Sequence, residues 1–296
     1  MQIVEFLKLV VAEQLSLQDQ TSYLEAKNDF TAQELADAVS FLFDNRAIKL
    51  ELKDCIDVCG TGGSGLPRIN TSTISAFILA KNGVKVAKHG NKAASGRFGS
   101  FDLLEELGEQ ILDDPGLIQT QFEQRGLVFL YAPSFYPVMK HFAPVRKVIA
   151  KPTFFNLLGP LLSPVKVKRQ IIGTSFEDEM ELIAETARLL GLERALVVRG
   201  EDGLDELTLT GKTRVIELRD GEFSEDEVAP EDFGIEECNF DEIAGGDAEF
   251  NVTIAKSILN GECETRHKDL VLLNVALAMY LNGEDDLKEA FNRIEI

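Results

Sequence analysis

Ile56-Asp57-Val58-Cys59-Gly60-Thr61-Gly62-Gly63-Ser64-Gly65, with Asn70-Thr71-Ser72-Thr73 close behind, decides how this chain of 296 residues is read. An apolar strand over Ile56–Cys59 runs into four glycines within six residues, and a helix from Ser72 to Ala80 then opens on hydroxyl side chains. Glycines let the backbone turn tightly and bring several N–H groups against one anion. A helix N-terminus adds donors and the positive end of its dipole, and Asn70, Ser72 and Thr73 add side-chain donors there. No Gly-Lys-Ser/Thr follows, and the spacing is not that of a dinucleotide fingerprint. Taken alone, the segment suits a helix N-cap after a flexible turn equally well.

Outward from this loop, strands and helices alternate. Val84–Ala87, Leu127–Leu130, Gln170–Gly173 and Ala195–Val198 read as buried strands, and Gly99–Leu107 and Glu177–Leu190 as helices between them. Such alternation predicts an α/β fold whose mostly parallel sheet is covered on both faces. Residues 1–48 read as helices, with Thr31 and Glu34 at capping-box spacing ahead of an apolar face of Leu35, Val39, Leu42 and Phe43. Thr208–Thr210 and Thr213–Leu218 flank Gly211-Lys212 and predict a hairpin, and Asp269–Tyr280 predicts a buried helix.

The net charge of −20 opposes a large contact with nucleic acid or anionic membrane. Thirteen acidic residues and no Lys or Arg lie between Asp220 and Glu249, which reads as a solvated surface segment. No run approaches the ~20 apolar residues that span a bilayer, and the N-terminus lacks the basic region of a secretory signal. The four cysteines are read as reduced thiols, so a cytoplasmic place is expected.

Two further segments carry chemistry. In Lys88-His89-Gly90-Asn91-Lys92, Lys88 can neutralise a phosphate, Asn91 can orient a sugar hydroxyl, and His89 is read as lining rather than as a proton carrier. Ser95, Gly96, Gly99 and Ser100 continue into a second helix start that suits phosphate. In Gly203-Leu204-Asp205-Glu206, adjacent carboxylates near a strand end offer the hard oxygen ligands that suit Mg²⁺, although a solvated acidic turn has the same look.

Together these motifs, with Phe155-Asn156-Leu157-Leu158-Gly159-Pro160 and Leu272-Leu273-Asn274, resemble the anthranilate phosphoribosyltransferases from about residue 30 onward. The resemblance implies a small helical domain (residues 1–53, with a contribution from about 133–152) and a large α/β domain (54–296), paired as a homodimer. It implies Mg²⁺-dependent transfer of a phosphoribosyl group from phosphoribosyl pyrophosphate to anthranilate, with no nucleic-acid or membrane partner. By position, the donor contacts would be Gly60, Gly63, Ser64, Arg68, Asn70, Thr71, Ser72, Thr73, Lys88, Asn91, Lys92, Ser95, Gly96 and Ser100. Anthranilate would meet Gly60, His89, Asn91 and Arg146, and the metal Ser72, Asp205 and Glu206.

Some positions depart from the family pattern. Ser64 stands where the family usually has Asp, Lys92 where Arg is usual, and Phe135-Tyr136-Pro137 where the approach to the aromatic pocket usually carries His. The region before Gly60 also reads as shorter than in typical relatives by several helical turns. A transferase or phosphorylase of the same fold with another acceptor is the alternative, and a non-catalytic nucleic-acid-binding paralogue is disfavoured by the charge.

Overall fold

The computed structural model of the chain describes residues 1–27, 29–92, 98–149 and 152–296. Seven strands, β1 (Ile56–Gly60), β2 (Val86–Gly90), β3 (Leu127–Tyr131), β4 (Arg169–Gly173), β5 (Arg194–Gly200), β6 (Thr213–Arg219) and β7 (Glu222–Val228), form one sheet in the order β3-β2-β1-β4-β5-β6-β7. The strands from β3 to β5 run parallel, and β6 and β7 extend the sheet antiparallel. Successive strands step from β1 to β2 to β3 on one side and from β1 to β4 to β5 on the other. The order therefore reverses between β1 and β4, the place where open sheets of this kind leave a ligand crevice at the strands' C-terminal ends. Gly60 and Gly173 pair in register at that point.

Both faces are covered, which explains the unbroken apolar runs. Ile56, Val58, Leu196 and Val198 point into a core shared with α4 (Thr71–Lys81), α11 (Ala248–Leu259), α12 (Arg266–Asn282) and α13 (Leu287–Asn292). α5 (Ser100–Glu106) closes that side, and α6 (Pro115–Arg125) leads into β3 through the left-handed Gly126. Ile172, Ala195 and Val197 point the other way, into a core shared with α3 (Ala32–Asp44), α9 (Phe154–Leu161) and α10 (Met180–Leu189). The same core takes in α1 (Ile3–Val11), α2 (Leu17–Ala26), the one-turn α7 (Ala132–Phe135) and α8 (Ala143–Val148). Within it Phe6 stacks on Tyr23 at 4.2 Å and meets Phe154 edge-on at 6.2 Å. The capping box of Thr31 and Glu34 is formed as its spacing predicts.

Two readings need correction. The hairpin is not Thr208–Thr210 with Thr213–Leu218. β6 pairs with β7 across Asp220-Gly221, whose φ angles of 52° and 89° suit a two-residue turn. The Thr208 and Thr210 hydroxyls instead donate to the Asp202 carboxylate at 2.6 and 2.7 Å, which folds that segment into a loop. The acidic stretch thus begins as a solvated edge strand. Glu225 and Glu227 reach Arg214 and Lys212 on its neighbour, and a charged edge of this kind resists pairing with another chain. Secondly, Lys88-His89-Gly90 does not follow its strand but forms its C-terminal half, because β2 starts two residues later than the apolar run Val84–Ala87.

Candidate active site

The cleft is built where the β1/β4 reversal meets the N-terminus of α4. Gly60 and Gly173 lie flat beneath the loop 200–207: a Cβ on either would overlap Asp205. That close approach, rather than freedom of turning, is what these two strand-end glycines provide. Asp205 and Glu206 are thereby buried at the cleft floor. The Asp205 carboxylate accepts the Gly62 N–H at 2.8 Å and pairs with Arg68, while Glu206 accepts the Thr71 hydroxyl at 2.9 Å. Burial pushes Glu206 up to about 6, against the pull of Arg68 and the Thr71 hydrogen bond.

Supports reach this loop from several elements. Asp202 accepts the Leu204 N–H at 2.9 Å together with the Thr208 and Thr210 hydroxyls. From α12, Asn274 accepts the Leu207 N–H and donates back to the Leu207 carbonyl, both at 3.0 Å. The glycine loop is held by Ser175, whose hydroxyl donates to the Gly62 carbonyl at 2.6 Å. Arg68 is pinned by the end of the acidic stretch: it bridges to Ala244, and Asn251 reaches its carbonyl at 3.4 Å.

Polar groups without partners converge on the same space. Asn70 caps α4 with its backbone alone; its amide donates to the Phe98 carbonyl, and its Oδ1 is buried with no partner among the described residues. The Thr73 and Ser75 hydroxyls are likewise buried and unpartnered. Buried polar atoms are nearly always hydrogen-bonded, so this cluster beside free helix N–H groups fits a polar ligand. Lys88 is buried, and its ammonium donates to the Val58 carbonyl at 2.8 Å.

The chain brings together most of the predicted residues. Gly60, Arg68, Asn70, Thr71, Ser72, Thr73, Lys88, Asn91, Ser100, Asp205 and Glu206 line this cleft. Gly63 and Ser64 do not line it; Ser64 instead accepts the Leu66 N–H. Lys92 points away to Glu105 at 2.6 Å. Ser95 and Gly96 lie outside the described residues.

A second, more apolar cavity opens from the first across Cys59, Gly60, His89, Gly90 and Asn91. Its walls are Ala132, Pro133, Tyr136 and Pro137 on one side and Phe155, Gly159 and Leu162 on the other. Arg146 stands at this cavity with its guanidinium over the Phe155 ring at 5.4 Å and forms no ion pair among the described residues. A guanidinium beside an aromatic wall suits a small aromatic carboxylate. Tyr136 is buried, and its hydroxyl donates to the Ser163 carbonyl at 3.3 Å. His89 offers the cavity no free ring nitrogen: Nδ1 lies 2.5 Å from Asp57 and Nε2 lies 2.9 Å from the Gly159 carbonyl.

Among the described residues no three His, Cys, Asp or Glu side chains gather as a metal cage. Two buried carboxylates beside the Thr71 and Ser72 hydroxyls are the donor set expected of Mg²⁺, which binds through one or two carboxylates, waters and substrate phosphates. The residues fit a metal that arrives with a phosphate ligand.

Asp57, Asp202 and Asn251 carry no motif signal, and Asn274 is marked only as the end of Leu272-Leu273-Asn274, with no role at the loop. Only the strand register and the burial of a polar residue within an apolar run single out Asp57.

Comparison with known proteins agrees with this geometry. Residues 52–295 match the Glycosyl transferase family, a/b domain. An anthranilate phosphoribosyltransferase of Idiomarina loihiensis is 46% identical over 236 residues, 79% of this chain and 70% of that protein. One from Persephonella marina is 43% identical over 263 residues, 88% and 77% of the two chains. Among solved structures, the anthranilate phosphoribosyltransferase of Thermus thermophilus superposes with a TM-score of 0.89 at 34% identity, covering 97% of this chain and 87% of its own. The Saccharomyces cerevisiae enzyme in complex with phosphoribosyl pyrophosphate and Mg superposes with a TM-score of 0.80 at 27% identity, covering 98% and 91%.

Proposed function

This chain belongs to the anthranilate phosphoribosyltransferase family, and we propose that its two adjoining cavities hold phosphoribosyl pyrophosphate and anthranilate for direct phosphoribosyl transfer between them. The observation that carries this reading is the pairing of an oxygen-rich cleft at the start of α4 with an aromatic cavity that opens into it.

The donor side is formed by the N–H groups that open α4, the Asn70, Ser72 and Thr73 side chains, and Lys88. Asp205 and Glu206, with Ser72, would hold magnesium. When bound, the magnesium ion supplies positive charge to the diphosphate oxygens. As pyrophosphate leaves the ribose C1, negative charge grows on the leaving oxygens and positive charge on the sugar ring. The α4 N–H groups stabilise the first within a site that closure of the helical wall shields from water. Arg68, paired to Asp205, lines the donor cleft and adds positive charge beside the donor phosphates.

Arg146 grips the acceptor carboxylate, and Phe155 packs along its ring. The amine of anthranilate is neutral at pH 7, so it attacks C1 without a strong base, and its proton passes to solvent or the leaving diphosphate. His89, with both ring nitrogens committed, lines the site and takes no part in proton transfer during the reaction. Rate enhancement then comes from holding two ligands in line.

The helical body 1–53 with 133–152 and the α/β body 54–296 are the units that close on each other in this reading, and the enzyme works as a cytoplasmic homodimer. Gly63, Ser64 and Lys92 lie outside the donor cleft and are given no contact with the donor.

Titration calorimetry with phosphoribosyl pyrophosphate, with and without Mg²⁺, tests the proposal together with a fluorescence assay for phosphoribosylanthranilate. Magnesium-dependent binding and product formation are expected. No binding heat under either condition would sink it.

A further inference from the structure

Asp57 takes no part in the transfer as described, yet it is a fully buried charge beside the cleft. Its Oδ2 lies 2.5 Å from Nδ1 of His89, and its Oδ1 accepts the His89 backbone N–H at 3.3 Å. Across the ring, Nε2 lies 2.9 Å from the carbonyl of Gly159, in the last turn of α9. A carbonyl oxygen only accepts, so Nε2 carries a proton. With Asp57 ionised, its Oδ2 accepts at Nδ1 just as its Oδ1 accepts the backbone N–H, so both ring nitrogens donate. The ring is an imidazolium, and Asp57 is its counter-ion.

The position favours that charge. Gly159 is among the last carbonyls of α9; it accepts the Leu162 N–H at 3.2 Å and has a second lone pair for the ring, at a helix end whose dipole favours a cation. Burial disfavours the charged ring, but Asp57 and, after it, Cys59 outweigh this and hold His89 well above the ordinary histidine range. The other charged or titratable groups around it are Lys88 on β2, and Tyr136, Lys140 and Arg146 across the acceptor cavity; α9 contributes none. Lys88 turns its ammonium onto the Val58 carbonyl.

We propose that Asp57 is a positioning residue for the acceptor: it keeps His89 as a permanent imidazolium that ties the C-terminal turn of α9 to the ends of β1 and β2 and so sets the acceptor cavity. Phe155, Gly159 and Leu162 all reach that cavity from α9 or its C-cap. The anchor joins elements packed on the sheet by side chains alone, since α9 shares no backbone ladder with β1 or β2. This role rests on the acceptor assignment made above, whereas the protonation state of the ring does not.

The chain has three histidines, so nitrogen NMR of the full-length protein labelled at histidine reads the ring directly, with His89 assigned through His141→Gln and His89→Gln. Both His89 ring nitrogens are expected to remain protonated at about pH 8, well above the ordinary histidine range. A neutral ring there overturns the ion pair whatever the acceptor is. Kinetics test the consequence: Asp57→Asn is expected to raise the KM for anthranilate roughly tenfold while the KM for phosphoribosyl pyrophosphate stays within about twofold. An unchanged anthranilate KM, or an equal rise in both, overturns the positioning role. Should the wild-type chain fail to use anthranilate, the functional reading and the acceptor role fall together, and the NMR result still decides the anchor.

Discussion

The two halves of the cleft are built by different rules. The donor half is made of backbone: strand-end glycines, a helix N-terminus and a loop pressed onto both, cross-braced by Asn274, Ser175 and Asp202. The acceptor half is made of side chains on short helices, with Tyr136, Phe155 and Arg146 each on or beside a different one. Diphosphate recognition needs many N–H groups at fixed spacing, which only regular backbone supplies. Recognition of a small aromatic ring needs shape and one charge, which side chains supply and substitution easily alters. The departures from the family pattern follow this division unevenly: Tyr136 lies in the acceptor half, whereas Ser64 and Lys92 lie on the donor side but off its floor.

Substitutions can break or sharpen that contrast. The largest effect is expected of Asp205→Asn with Glu206→Gln: turnover should fall roughly 1000-fold, with the circular dichroism spectrum unchanged. Full activity in the fluorescence assay would remove the metal role from these carboxylates. Gly60→Ala places a methyl against Asp205, and overpacking of that kind should weaken phosphoribosyl pyrophosphate binding roughly 10–100-fold by calorimetry. If binding survives, the donor half is less rigid than its glycines imply. Arg146→Ala should raise the anthranilate KM about 10–100-fold, the worth of a charge-assisted hydrogen-bond pair, and leave the donor KM alone. Equal effects on both substrates would mean that the halves are not separable. Tyr136→Phe removes one buried hydrogen bond to Ser163, and urea unfolding should show a loss of about 1 kcal/mol with little kinetic change. A large acceptor defect instead would make Tyr136 a direct contact.

Much of the donor half was legible before any coordinates. The strand over Ile56–Cys59, the helix behind Asn70 and the carboxylates at Asp205-Glu206 are local signals, since glycine, hydroxyl and acidic residues announce themselves by type and spacing. The hairpin was misread for an instructive reason. Gly211-Lys212 and Asp220-Gly221 both resemble turns, and the choice fell to Asp202, which draws Thr208 and Thr210 out of a strand. Asp220-Gly221 is the stronger two-residue hairpin signal, but it stands at the head of an acidic run that hid the edge strand. Ser64 and Lys92 occupy motif positions yet do not line the cleft, because Ser64 accepts the Leu66 N–H and Lys92 pairs with Glu105.

By itself the sequence determined the α/β alternation, the glycine-rich loop and the family, because each is written in residue types a few positions apart. Tertiary structure alone decided which glycines serve close approach, which carboxylate is tied to which cation, and what His89 can do. Asp57 and His89 are 32 residues apart, and His89 and Gly159 are 70 apart. Their protonation follows from acceptors that meet only when β1, β2 and α9 are packed. Chemistry that depends on the state of a group, rather than its kind, is set by neighbours that the linear order does not reveal.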